Sequence, residues 1–377
     1  MKEQWFQYYR FHLKGLSLNL SASQRYLDEL IADFPESPHV LEARFRRGEM
    51  RFSNAEFAGA VEDYTAVTAA GEDTKYWLHA SYMLGWSHFK LSDLEAAAAQ
   101  FYQVVDLTAP KQAVLVSDET ASSARARVQE ELLDDALRVL MLTLNYEEGA
   151  TSLAADMREQ GQPDWQYLVY ERLADDYINQ ERYIDGVAAG QMFVDENPLD
   201  RRAPSETVGI IDILDQADFP SEILPKKEEF VARYGVRSDF WQAHDADSRS
   251  EYLVTLRSYL DELSQLRHAQ AQQSRVPSDY LAAADYYEQT IETFPEDAKT
   301  GDTLFLLGEV YTDAQMAEPS LAAYQRLVRD FPDHPQAAEA GYSSILALGR
   351  LTETSEPADQ PGWAKQKLAA QLDFAMI

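Results

Sequence analysis

The chain repeats itself. The segment Leu78 to Leu107 lies over Glu42 to Val67 without a gap. Gly48 and Gly85 occupy one place in the two copies, 37 residues apart; Ala60 and Ala97 follow them by 12, and Tyr64 and Phe101 by 16. The same frame returns near the other end as Gly308, Tyr311, Tyr324 and Pro332. Self-similarity at such a period is the mark of stacked supersecondary units, each burying one apolar face only against its neighbours.

The residue types say what the unit is. In a helix-turn-helix pair a small residue in the first helix lets the second approach closely. An alanine in the second helix receives the packing of the first, and a large aromatic fills the gap between units. Proline ends a unit because it cannot continue a helix. Phe34-Pro35, Asn197-Pro198, Phe294-Pro295 and Phe331-Pro332 mark such ends, the last two again 37 residues apart.

Elsewhere the pattern thins. A long helix is expected from Ser122 to Leu144, then a second from Gly149 to Gln160, ended by Gly161 and Pro163. Residues 199–245 read as a broken helical connector punctuated by Pro204, Pro220 and Pro225. A helix from about Asp247 to Gln273 carries Leu253, Leu256, Leu260, Leu263 and Leu266 on one packed face, too short a run for a zipper. The segment 352–362, TETSEPADQPG, reads as a polar linker, and Ala364 to Ile377 as an amphipathic helix whose apolar end packs on further sequence. The organisation expected is therefore an N-terminal array over 1–110, atypical helices plus one repeat over 111–198 and the connector over 199–245. A C-terminal array over 246–351 and the linker with its terminal helix over 352–377 complete it. The fold class is all-α, a solenoid of antiparallel helix pairs with room for two arrays joined by the irregular connector.

Composition narrows the function classes. With 45% hydrophobic and 26% charged residues, 377 residues suit a soluble globular or repeat protein and not a disordered or fibrous one. Lys and Arg number 33 against 64 Asp and Glu, a net charge of −31 that repels nucleic acid and anionic membrane. Without cysteine, disulfides, thiolate metal sites and cysteine nucleophiles drop out, and either redox compartment fits. The opening Met1-Lys2-Glu3-Gln4-Trp5-Phe6 lacks the apolar core of a secretory signal, and no run is long enough to span a bilayer.

Catalytic constellations are not legible. The histidines His12, His39, His79, His88, His244, His268 and His334 are scattered, without the paired spacing of a zinc-hydrolase helix. His244-Asp245-Ala246-Asp247 lacks the glycine of a calcium loop and reads as a helix start, with Asp245 or Asp247 as N-cap. The carboxylate pairs Glu130-Glu131, Asp134-Asp135 and Asp175-Asp176 are expected by chance in so acidic a chain, and helix neighbours do not face each other. There is no phosphate loop, nucleophile elbow or dinucleotide fingerprint. The reading is of no enzyme, no cofactor and no metal.

By its glycine, alanine, aromatic and proline places the chain resembles the tetratricopeptide repeat family over roughly 5–110, 163–198 and 278–350. That family's unit is about 34 residues, shorter than the period here. The endings DFPESP, TFPED and DFPDHP resemble those of bacterial cell-envelope members, among them outer-membrane-protein assembly lipoproteins and the coordinator of the Tol system. The resemblance implies a groove lined by first-helix residues three before, one after and four after the glycine. Those are Phe45, Glu49 and Phe52 in one repeat and Tyr82, Trp86 and Phe89 in the next. Aromatic anchors of this kind give protein and peptide grooves contact area at small entropy cost; equally, they pack one helix on another. The lysine and asparagine of the chaperone-adaptor clamp are absent. Arg44, Arg47 and Arg51 form a basic stripe that pairs with acids such as Glu62 or Glu95, or else meets an acidic partner.

The resemblance thus implies a non-catalytic scaffold of the bacterial envelope that holds a protein or peptide partner in a concave groove. A regulatory or substrate-holding domain of a larger polysaccharide synthesis or export system is the alternative. Periplasmic or envelope-associated placement follows if a signal lies outside this chain, and cytoplasmic placement otherwise.

Overall fold

The structure, a computed structural model, describes residues 20–110, 121–146 and 148–374. The N-terminal hexapeptide, His12 and the terminal Ala375-Met376-Ile377 lie outside the described residues. Every regular element among the described residues is a helix. The chain forms two compact units, Met1–Met192 and Phe193–Ile377.

The first unit begins with α1 (Leu20–Asp33), α2 (Val40–Ser53), α3 (Phe57–Thr68), α4 (Trp77–Lys90) and α5 (Leu94–Thr108). The long α6 (Ala121–Tyr146), α7 (Ala150–Glu159), α8 (Gln166–Asn179) and α9 (Tyr183–Glu196) follow, the unit boundary falling within α9. In the pairs α2–α3 and α4–α5 the aromatic of the second helix lies on the glycine of the first. A Cβ on Gly48 would stand 2.8 Å from Tyr64 Cε1, and one on Gly85 3.0 Å from Phe101 Cζ. These rings fill the space within their own pair, where the sequence reading put them between units. A side chain on the glycine would push the helices apart.

Two turns recur. First helices close with a residue in the left-handed region, Ala55, Ser92, Glu181, Asp218 or Gln315, with φ between 58° and 61°. The next amide reaches back five residues, as Glu56 N–H does to Arg51 O at 2.8 Å and Met316 N–H to Tyr311 O at 2.8 Å. This is the Schellman closure, here built without glycine. The proline ends behave as expected: from Phe34, Asn197, Phe294 and Phe331 two successive i→i+3 hydrogen bonds lead to helices beginning at Val40, Ala203, Thr300 and Ala337.

The second unit continues with α10 (Ala203–Gln216), α11 (Pro220–Tyr234), α12 (Asp239–Ala243), α13 (Ala246–Ser250), α14 (Leu253–Ser274) and α15 (Pro277–Thr293). It ends with α16 (Thr300–Asp313), α17 (Ala317–Asp330), α18 (Ala337–Thr354) and α19 (Gln360–Phe374). Here the structure departs from the expected connector. Residues 203–234 form a regular helix pair whose starts, 203 and 220, lie 37 residues after those of α8 and α9. Pro204 and Pro220 stand in the first turn of their helices, where the missing N–H has no partner to lose, and α11 runs through Pro225. Phe230, Val231 and Tyr234 then join Phe240, Tyr252, Leu256 and Tyr259 in one core.

Three smaller differences have local causes. The helix expected over 247–273 is two, because Asp245 caps α13 through Ser248 N–H at 2.9 Å and the chain turns again before Leu253. Leu256, Leu260 and Leu263 form its buried face as expected. The polar linker is only 355–359, since α18 runs to Thr354 and α19 starts at Gln360, with proline in its first turn. The terminal helix is not amphipathic: Trp363 and Ala370 pack on Leu321 and Leu348 while Leu368 and Leu372 face outward. No helix among the described residues is long and apolar enough to cross a membrane.

Candidate functional site

The rings at the first-helix places around Gly48 and Gly85 have different fates. Phe45 is 7% exposed, stacked on Tyr76 at 5.2 Å and edge-on to Tyr64 at 6.0 Å. It is core. Tyr82 is half-buried and donates its hydroxyl proton to Asp135 of α6. Burial pushes the Tyr82 hydroxyl up to about 12, with the Asp135 carboxylate adding to the shift. Against its own burial, Asp135 is held below the usual carboxylate range by Tyr82 and Arg138.

What remains is Phe52, Trp86 and Phe89, each half-buried, with Glu49 in an ion pair to Arg46 at 2.8 Å. Phe52 meets Phe57 edge-on at 5.3 Å. Trp86 meets Phe89 at 5.6 Å and Phe101 at 6.1 Å, both edge-on. Lys90 Nζ and Arg138 Cζ stand 5.7 and 5.8 Å from the Trp86 ring centroid. The arrangement offers an indole and two phenyl rings on helices, with Lys90 and Arg138 over the indole, as an anchor site for an apolar or aromatic side chain.

The basic stripe goes elsewhere. Arg47 grips Asp63 through both oxygens, at 2.9 and 2.6 Å, and reaches Asp28 at 2.6 Å. Arg51 meets Asp63 at 3.0 Å and the Gly59 carbonyl at 2.9 Å, and Arg44 lies 3.7 Å from Asp63. Of the two acids expected as partners, Glu62 is 3.6 Å from Arg51, and no ion pair to Glu95 occurs among the described residues. The stripe's charges are turned onto the fully buried Asp63 and not gathered with the Trp86 rings.

Sequence reasoning missed Asp63, Asp135 and Arg138. A lone acid in an acidic chain gives no signal. The i,i+3 pair Asp135 and Arg138 was visible, but only the position of α6 beside α4 shows what it holds. Among the described residues no group of His, Asp and Glu is placed to hold a metal ion.

Residues 302–334 match the family model described as tetratricopeptide repeat. No curated protein matches the chain. Among solved structures, the TPR domain of P58(IPK) is 14% identical, covering 99% of this chain and 98% of that one at a TM-score of 0.27. A tetratricopeptide repeat protein from Parabacteroides merdae is 11% identical, covering 92% and 98% at 0.28. The TPR2AB domain of yeast Sti1, in complex with pHSP90, is 12% identical, covering 89% and 100% at 0.19. Scores this low transfer no groove or ligand.

Proposed function

We propose that this chain is a protein-interaction scaffold of the bacterial cell envelope, in which the Trp86 face of the first unit holds a segment of a partner protein and no group is chemically consumed. The observation that carries the reading is the division among the rings: Phe45 is buried in the core and Tyr82 commits its hydroxyl to Asp135, while Phe52, Trp86 and Phe89 stay half-buried on the first helices of two successive pairs. A scaffold needs such anchors on rigid elements, because a side chain held in place loses little entropy on binding. The tetratricopeptide match over 302–334 supports the class, since such repeats commonly serve protein binding. The envelope placement is supported by the turn sequences DFPESP, TFPED and DFPDHP, which resemble those of envelope members of that family.

The test is a photo-crosslinking amino acid placed at Phe89, or at the exposed Gln103 of α5 as control, in the source cell. The proposal expects a discrete adduct from position 89 and none from 103. Equal labelling from both positions, or none from 89, contradicts the face. Fractionation of the same cells tests placement: an adduct found only in the cytosol contradicts the envelope assignment and leaves the scaffold role standing.

A further inference from the structure

A second surface lies in the unit Phe193–Ile377. Tyr342 and Leu346 lie one turn apart on α18 and are 52% and 51% exposed. Phe305, 37 residues before Tyr342, is 5% exposed, edge-on to Tyr324 at 5.8 Å and packed in a core that includes Ala337 and Ala340 of the following pair. The repeat frame therefore places Tyr342 where an apolar side chain is otherwise covered by a neighbouring element. Among the described residues its one ring neighbour is Phe374, tilted at 6.3 Å.

The rim of this surface is acidic. Glu339 lies three residues before Tyr342 on the same helix, and Glu309 and Asp313 lie on α16 beside it. All three are exposed, and among the described residues no lysine or arginine forms an ion pair with them. Partial burial pushes the Glu309 carboxyl up, and the charges of Glu339 and Asp313 push it further. Of the cations nearby, Arg350 is turned to the Thr312 carbonyl at 3.4 Å and Lys367 of α19 lies against Gly349.

We propose that the Tyr342 and Leu346 surface, rimmed by Glu309, Asp313 and Glu339, docks a basic segment of another protein, which sets an apolar side chain over the two exposed residues and Lys or Arg against the carboxylates. Uncompensated acids next to an apolar anchor select by charge. A second copy fits poorly, because a chain of net charge −31 would bring like charges together.

The experiment pans a random peptide library on the full chain and counter-selects on Tyr342→Ser with Leu346→Ser. Both residues are half exposed, and a matching melt confirms the variant's fold. Peptides lost on that variant are expected to be rich in Lys and Arg around Leu, Phe or Trp. Glu309→Gln with Glu339→Gln should weaken them about tenfold, as should high salt. Trp86→Ala should leave them unchanged, which separates this surface from the Trp86 face. Selection of neutral or acidic peptides through Tyr342, or of none that depends on it, overturns the proposal. So does a wild-type dimer in sedimentation that Tyr342→Ser dissociates, since the occupant would then be a second copy.

Discussion

A carboxylate out of water is tolerable only when cations hold it, and Asp63 is held by Arg47 through both oxygens and by Arg51 at 3.0 Å. Removing the acid takes away their buried counter-charge and leaves Arg47 only the carboxylate of Asp28 and Arg51 only that of Glu62, both more exposed. Asp63→Ala should therefore lower stability by about 3–5 kcal/mol in urea unfolding. Arg44→Ala, at the longer 3.7 Å distance and more exposed, should cost less than about 1 kcal/mol. A loss from Asp63→Ala no larger than from Arg44→Ala would contradict this account of the stripe. The neighbouring Tyr64 hydroxyl is buried with no hydrogen-bond partner among the described residues, so Tyr64→Phe should leave stability unchanged or raise it. Gly308 is the reverse case: a Cβ there would meet the Tyr324 ring at 2.5 Å. Gly308→Ala should lower stability by about 1–3 kcal/mol, although alanine is the better helix former by about 1 kcal/mol. Melts of these variants check each sign. At this scale the sequence shows the glycine and its aromatic, because both recur in the frame. It does not show Asp63, whose importance comes from three side chains of another helix turning toward it.

Helix ends explain which elements were legible. Each Phe-Pro or Asn-Pro end is a local signal, and each leads to the next helix through the same pair of turn hydrogen bonds. Proline is ambiguous, though, and Pro204 and Pro220 read as breaks where they open helices. The Schellman closures were invisible because alanine, serine, glutamate, aspartate and glutamine fill the left-handed place that usually goes to glycine. Beyond α11, Ser238 caps α12 by accepting from Trp241 N–H at 3.1 Å, and next to it Arg237 gathers Asp285, Glu288 and Glu292 of α15. The Arg237 hydrogen bond, acting against partial burial, holds the Glu292 carboxyl below its ordinary 4.5. A carboxylate with a depressed folded pKa adds stability that is present above the unfolded value and lost as pH falls through the folded one. The stability gap between wild type and Arg237→Gln should therefore be fully present at neutral pH and shrink below pH 4.5 in denaturant titrations. A gap that does not change with pH would place the effect of Arg237 in packing.

For the whole molecule, the excess of 31 negative charges is the property that packing does not use up. Part of its effect is local at Glu309, whose carboxyl is pushed up first by partial burial and then by the charges of Glu339 and Asp313, so that the ionised form is less favourable in the fold than in the unfolded chain. That cost is absent at acid pH and appears as pH rises. Glu309→Gln should accordingly raise the melting temperature at neutral pH and have no such effect below pH 4.5. The class of molecule was readable from the 37-residue frame alone. Which aromatics stay open was not, because nothing local separates Phe45, buried against Tyr64 and Tyr76, from Phe52 on the same helix, which stays half-buried. The measurement that tests the central claim most directly is quantitative affinity capture from the source cell with wild-type chain and with Trp86→Ala, Phe89→Ala chain of matched melting behaviour. The account predicts a partner enriched by the wild type and lost with the variant. Equal capture of every partner by both chains would contradict it.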